Sequence, residues 1–401
     1  MIIALLEILL LLAFGIFPIY LALLSILALM PSAVRIDRNS RKKTFAIVVP
    51  AHNEELVIQK TLKSIFAVDY PRELFDVIVI ADNCTDQTAN IVRSAGATAY
   101  ERTNLSLVGK GYALRWGFDT ILNSNKQYDA VVVIDADCEV TPNMLNVLHS
   151  YMLHGARVVQ IADIVLLKPG VWNSEIIRLG FTLYNVVRLL GKRLLGCSVG
   201  LRGTGMCFST GVLRELPWQA YSFAEDLEYG LNLILHGIKV NFAPEAAVIS
   251  AMPDQSKQSE TQRARWESGR KPLVRHYSPK LLSQAIKKMS YPLFDTFLDL
   301  IMPPFVNLSV MLVFIILLHL FLVILGFQGL GLYLWIWVAV LGAAFTHAFL
   351  GLVAAKADRH LYKSLLYVPR YAFWKLTLYA KLMARGGPSR WVRTERDGGS
   401  K

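Results

Sequence analysis

Three runs of the chain are almost wholly apolar. Residues Ile2 to Met30 are interrupted only by Glu7 and Pro18, and Pro303 to Leu325 and Leu330 to Ala354 are joined by an uncharged turn holding Gly326 and Gly329. Each is long enough to cross a bilayer, which takes ~20 apolar residues. A signal peptide would put positive charge before its apolar core. Here the Arg/Lys cluster follows the first run, so a transmembrane helix is expected. Between the runs the pattern changes. Short apolar, β-branched stretches stand at Thr44–Pro50, Phe75–Ala81, Ala97–Glu101, from Val131 on, Val158–Leu167, Ile238–Phe242 and Ala247–Ala251. Helical patterns separate most of them, which predicts an α/β domain with a doubly wound, mostly parallel sheet. The expected division is a transmembrane helix in 1–32, the α/β domain in 44–280 and an interfacial helix in 281–302. Two transmembrane helices follow in 303–355, then an amphipathic helix and basic tail in 356–401. The basic helix Trp172–Leu195 either lies against lipid headgroups or packs on the domain.

Composition agrees with a membrane protein, since 54% of the 401 residues are hydrophobic. The net charge of +12 is confined to two flanks. Arg35 to Lys43 holds five basic residues and one acid; Lys356 to Lys401 holds eleven and three. The basicity is therefore a membrane-flank signal, and no nucleic-acid face is expected. The positive-inside rule puts both flanks and the domain in the cytosol. The four cysteines form no C-x-x-C pair and read as reduced fillers.

The candidate chemistry gathers around Val131–Val140, VVVIDADCEV. A buried parallel strand running into Asp135-Ala136-Asp137 puts two carboxylates at its carboxyl end, where open α/β sheets bind ligands. Such a hard oxygen pair suits Mg²⁺ or Mn²⁺ carrying a diphosphate. The plainer alternative is that both acids cap the helix expected from Thr141-Pro142. Other strand ends are also polar. His52-Asn53-Glu54 follows the strand at Thr44, and Asp82 ends the one at Phe75. Three acidic strand ends at one edge argue for a polar nucleotide site. No G-x-G-x-x-G follows the first strand, and Val108-Gly109-Lys110-Gly111 lacks the Ser or Thr of a Walker loop. Gly203-Thr204-Gly205 reads as a loop allowing close backbone approach, or as a tight turn. Glu225-Asp226 opens a helix, where capping is the simple alternative. Gln262, Arg265 and Trp266 share one helical face.

Five motifs in order, PAHNEE at Pro50, ADNCTD at Ala81, DAD at Asp135, AED at Ala224 and QRARW at Gln262, resemble the membrane-embedded family 2 glycosyltransferases. Those include cellulose, hyaluronan and poly-N-acetylglucosamine synthases and ceramide glucosyltransferase. The resemblance covers residues 45 to 270 and implies a GT-A fold. It also implies inverting transfer of a hexosyl or N-acetylhexosaminyl group from a nucleotide-diphosphate sugar, UDP-linked, to a glycan acceptor. On it, Asp226 is the catalytic base and Asp135 and Asp137 hold Mg²⁺ or Mn²⁺. The nucleotide sugar falls to His52, Asn53, Glu54, Asp82, Lys110, Asp135 and Arg265. The acceptor falls to Gly203, Thr204, Gly205, Glu225, Gln262 and Trp266. The AED motif departs from the Thr-Glu-Asp of many members. The other readings are single-sugar transfer to a lipid acceptor and a silent sugar-nucleotide-binding membrane subunit. The partners expected are the nucleotide sugar, the acceptor and the bilayer of the cell (inner) membrane. A homo-oligomer or polysaccharide-export partners would suit a synthase.

Overall fold

The structure is a computed structural model. It describes residues 2–31, 34, 36, 37, 40, 42–166, 172–251, 256–371 and 373, with side chains left out at 2, 172, 173 and 251–268. The part of the expected amphipathic helix and basic tail beyond residue 373 lies outside the described residues. The chain forms two compact units. One draws on residues 33–166 and 197–296, the other on 1–32, 167–196 and 297–386.

The first unit is built on eight strands: β1 (Phe45–Ala51), β2 (Phe75–Asp82), β3 (Thr98–Arg102), β4 (Ala130–Val133), β5 (Cys138–Val140), β6 (Val158–Leu166), β7 (Met206–Ser209) and β8 (Val240–Ala251). They lie in the order β3-β2-β1-β4-β7-β6-β8-β5. Pairings β1–β2, β2–β3, β1–β4 and β6–β8 are parallel, while β7 runs antiparallel to both neighbours and β5 antiparallel to β8. The sheet is thus mostly parallel, as the strand–helix alternation predicts. Phe45 to Val49 and Ala130 to Val133 are fully buried, the signature of central strands covered on both faces.

Register decides where the polar strand ends fall. Ala51 pairs Ala81, and Val48 pairs Val133, so β1, β2 and β4 end at one edge. Because β7 is antiparallel, it starts there: Met206 pairs Val133. The helices that follow the strands are α1 (Ile58–Phe66), α2 (Thr88–Ser94), α3 (Lys110–Leu122), α4 (Met144–Leu153), α5 (Glu225–Leu235) and α6 (Ser256–Lys287).

Two local expectations change. The strands expected at Ile238 and Ala247 are one strand, β8, with an irregularity between Ala243 and Ala247. Pro244 sits in it and has no N–H for the ladder. Thr141 does not cap the next helix. That helix begins at Met144, and Thr141 Oγ1 instead accepts the Ala247 N–H at 3.1 Å.

The second unit is helical. Ile3–Ala28, Phe305–Ile324 and Gln328–Ala354 are long and apolar enough to cross a membrane. The first contains a π turn at Leu11–Gly15. Residues Trp172–Leu194 form a helix with its own π turn at Thr182–Val187. It packs on these apolar helices, with Leu183 and Val187 against Ala348 and Leu352. Gly191 is required there, because a Cβ would lie 2.4 Å from the Leu24 carbonyl oxygen.

The acid that interrupts the first apolar run is fully engaged. Glu7 Oε1 lies 3.0 Å from His319 Nε2, and Oε2 accepts from Trp337 Nε1 at 3.0 Å. His319 Nδ1 lies 2.9 Å from the Ile315 carbonyl, which can only accept, so Nδ1 carries a proton. Ionisable groups in apolar spans are costly unless paired in this way.

Candidate active site

The edge where β1, β2 and β4 end and β7 begins gathers His52, Asn53, Glu54, Asp82, Asp135, Asp137 and Gly203–Gly205. After β1 the chain turns sharply. Asn53 takes φ +56°, and its Oδ1 accepts the Thr85 N–H at 2.7 Å. His52 Nδ1 bonds the Asp82 carbonyl at 2.7 Å, and the Glu54 N–H donates to Thr88 Oγ1 at 2.8 Å. These contacts tie the loop after β1 to the loop after β2.

Asp82 is buried, and its Oδ1 is bonded by Arg102 Nη1 and, at 3.2 Å, by Asn83 Nδ2. Both side chains of the Asp82–Arg102 pair are 7% exposed. Arg102 ends β3 opposite Asp82, and its Nη2 donates to the Leu107 carbonyl at 2.9 Å. Losing one member of a buried pair strands the other charge, at about 3–5 kcal/mol. Arg102→Met should therefore lower stability by about that amount, and Asp82→Leu/Arg102→Met should recover part of it. Unfolding in detergent by urea reads both; an unchanged midpoint for the single variant would mean the pair adds nothing.

Lys110 is the centre of the opposite half. Gly109, at φ +126°, turns the chain into α3. Gly111 cannot be another residue, because its Cβ would lie 2.2 Å from the Ala220 carbonyl oxygen. The ammonium donates to Asp135 Oδ1 at 2.5 Å and to the Gly203 carbonyl at 2.8 Å, with Glu225 Oε1 at 3.9 Å. The acids around Lys110 hold its pKa above the usual lysine range despite burial.

Gly203, at φ +84°, leaves room for this convergence. A Cβ there would sit 3.5 Å from Asp226 Oδ2 and 3.7 Å from Lys110 Nζ. Thr204 is buried, and its hydroxyl accepts the Asp135 N–H at 3.1 Å. Gln160 Nε2 donates to the Thr204 carbonyl at 2.8 Å, and Gln160 Oε1 accepts the Arg202 N–H at 3.0 Å. A Cβ on Gly205 would meet Ile161 Cγ1 at 2.6 Å, so that glycine is fixed by packing on β6. In this structure Thr204 and Gly205 orient the Asp135 turn.

Burial and crowding raise the acids. Burial lifts Asp135, with Lys110 opposing and Asp137 adding to the rise. Burial and Asp135 push Asp163 up to about 7. Glu225 and Asp226 are both raised by burial, against Lys110 for each and, for Asp226, also the Leu227 N–H. Asp135, Asp137, Asp163, Glu225 and Asp226 thus influence one another, with Lys110 and Arg202 as the opposing cations. That surplus of negative charge, with two hard carboxylates at the turn, fits a divalent cation. Among the described residues no three His, Cys, Asp or Glu side chains meet at metal-ligand spacing. Mg²⁺ is commonly held by one or two carboxylates together with substrate phosphates and water, so Asp135 and Asp137 suffice as a protein share.

Arg102, Gln160, Asp163 and Arg202 were not expected at the site. Gln160 and Asp163 had one signal, as polar residues within the apolar strand VVQIADIVL. The Gln262, Arg265 and Trp266 side chains lie outside the described residues, though their backbone belongs to α6.

Residues 42–269 match the family described as "Glycosyltransferase like family 2". The probable glycosyltransferase YdaM of Bacillus subtilis (strain 168) is 26% identical over 266 residues, covering 63% of this chain and 61% of that protein. Poly-beta-1,6-N-acetyl-D-glucosamine synthase of Staphylococcus epidermidis is 23% identical over 250 residues, covering 60% and 58%. The match thus spans about three-fifths of the length of these relatives. The solved structure of the mannosyltransferase PcManGT from Pyrobaculum calidifontis, in complex with GDP-Man and Mn²⁺, superposes with a TM-score of 0.54 at 17% identity. It covers 94% of this chain and 96% of that chain. At that identity the likeness is one of fold, and it bears out the GT-A fold that the motif resemblance implies.

Proposed function

Because the chain belongs to the glycosyltransferase-like family 2, we propose that it transfers a sugar, with inversion, from a nucleotide-diphosphate sugar to a glycan acceptor at a membrane, as a polysaccharide synthase does. The observation that carries this reading is the convergence of Asp135, Lys110, Gly203 and Asp226 within direct or near contact. A carboxylate pair for a charged leaving group and a carboxylate base for an acceptor then share one edge of one sheet.

Each residue's part follows from its chemistry. Asp82 meets the base or ribose, with His52, Asn53 and Glu54 shaping the loop beside it. Asp135 and Asp137 hold Mg²⁺ or Mn²⁺, which when bound supplies positive charge to the diphosphate. Lys110 adds a permanent positive charge next to Asp135. Asp226 accepts the proton of the acceptor hydroxyl. The hydroxyl oxygen bonds to the anomeric carbon while the bond to the diphosphate oxygen breaks, and the nucleoside diphosphate leaves. Gly203 and Glu225 border the acceptor, and Gln262, Arg265 and Trp266 complete the site from α6. Arg265 offers a fork for phosphate oxygens and Trp266 a flat face for a sugar ring.

The test is turnover by the full chain in detergent, with a panel of UDP- and GDP-sugars and with glycan or lipid acceptors. Release of nucleoside diphosphate that depends on a glycan acceptor supports the reading. Release only with a lipid acceptor selects single transfer, and donor binding without release from any donor selects a silent subunit.

In this reading the unit drawn from residues 33–166 and 197–296 is the catalytic domain, and the apolar helices Ile3–Ala28, Phe305–Ile324 and Gln328–Ala354 are the spans in the bilayer of the cell membrane. The basic flanks put the domain and the 356–401 segment in the cytosol. On sealed right-side-out vesicles, protease should leave both intact, and on inverted vesicles it should remove both. Cleavage of the tail from the outer face alone would contradict this topology.

A further inference from the structure

The acid pair Glu225–Asp226 is preceded by a short strap, Ala220–Ala224, that is gripped from three sides. Gly111 of α3 lies against the Ala220 carbonyl so tightly that no Cβ fits. The Tyr112 and Tyr221 rings stack, with centroids 4.4 Å apart and planes 16° from parallel. Glu228 Oε2 accepts the Tyr221 and Ser222 N–H groups at 3.1 and 3.0 Å. The third grip comes from α6. A Cβ on Gly269 would lie 3.0 Å from Phe223 Cβ and 3.3 Å from both the Ala224 nitrogen and the Phe223 carbonyl carbon. Two of those three neighbours are backbone atoms of a strap already held elsewhere, so the strap has little freedom to yield.

Gly269 also has a particular place on its helix. It stands three residues after Trp266, four after Arg265 and seven after Gln262, which is the spacing of one helical stripe.

We infer that Gly269 is a positioning residue: its missing side chain lets α6 close against the backbone that leads into Glu225–Asp226. The inference rests on the glycosyl-transfer reading, because the contact holds the strap that sets the Asp226 carboxylate. Catalysis depends on such alignment to within fractions of an ångström, and a small misplacement costs rate more than binding.

Alanine and glycine differ in a useful way at this site. In a helix interior alanine is the better helix former. Against that gain, the added Cβ crowds a strap with little freedom to yield, so Tm alone does not separate the roles; a glycine kept only for packing would be replaced at unchanged rate. The positioning role predicts for Gly269→Ala an unchanged affinity for the nucleoside diphosphate and a kcat about 3–30-fold lower, a fraction of the ~10²-fold that 1 Å of misplacement costs. Gly269→Val should lower kcat further at the same donor affinity. A Phe223→Cys/Gly269→Cys variant tests the contact without any turnover. Disulfides need Cβ atoms about 3.5–4.5 Å apart, so a small relaxation brings the pair into range, and mild oxidation should link them. Peptide mapping distinguishes that link from the four native thiols.

The link forming, together with a slow Gly269→Ala that binds the nucleoside diphosphate as the parent does, supports the inference. Absence of the link, or an alanine variant as fast as the parent, overturns it and leaves the transferase reading standing. A parent protein that turns over no nucleotide sugar overturns both, even with the link formed.

Discussion

Asp226→Asn should fold, insert and bind nucleoside diphosphate as the parent does, yet transfer sugar on the order of 10²–10⁴-fold more slowly. Two roles for this carboxylate predict different magnitudes. Asp226 lies in the first turn of α5, where a carboxylate also favours the helix end. Losing a helix cap costs about 1 kcal/mol, and asparagine caps nearly as well as aspartate. Asparagine keeps the shape and the accepting oxygen but cannot take a proton. The pH profile gives a second reading. Burial holds Asp226 above the usual carboxylate range, so its ionised, proton-accepting form grows only as pH rises through that higher value. The acid limb of kcat/KM in the parent should therefore lie above the ordinary aspartate pKa of about 3.9. Donor titration and turnover on one preparation decide the matter. Near-normal turnover by the asparagine variant would move the base to another group, with Glu225 first in line. Loss of donor binding would make Asp226 structural.

Exhaustive chelation should abolish transfer, and added Mn²⁺ or Mg²⁺ should restore it in the parent but not in Asp137→Ala. The expectation rests on charge. Asp135 already has the Lys110 ammonium at 2.5 Å, and the remaining acids of the cluster outnumber the cations near them. Removing Asp137 takes away half of the carboxylate pair, and a hard cation held by so few protein oxygens does not tolerate that loss. Nucleoside diphosphate affinity, measured with and without the metal, should fall with the same dependence. Full activity after chelation would leave the surplus negative charge to Lys110 and Arg202 alone.

The positions of most strands and the main acids were legible in the sequence because both are written locally. Buried parallel strands read as unbroken β-branched runs, and VVVIDADCEV shows one running into its two aspartates. Lys110 was visible as a motif, but its bond to Asp135 was not, since the partners are 25 residues apart and meet only through sheet register. Arg102 illustrates the same limit. It ends an unremarkable edge strand, and only its pairing opposite Asp82 makes it the counter-ion of a buried carboxylate. Gly205 and Gly203 looked alike as loop glycines. Packing separates them: one is pressed on Ile161, the other opens towards Asp226 and Lys110. Thr141 was misread as a cap because its bond runs to Ala247, 106 residues away.

The engagement of Glu7 bears on how the protein is made. Its partner His319 lies 312 residues further along, and Trp337 330 residues. At roughly 5–20 residues per second, about 15–60 s separate the synthesis of Glu7 from that of His319. Throughout that interval the first helix carries an acid into the bilayer without the groups that later satisfy it. Early insertion must then be shallow, reversible or guarded by the insertion machinery, and becomes secure only when the last two helices arrive. Chains truncated before residue 305 should be cleared by quality-control proteases, however well their α/β domain folds.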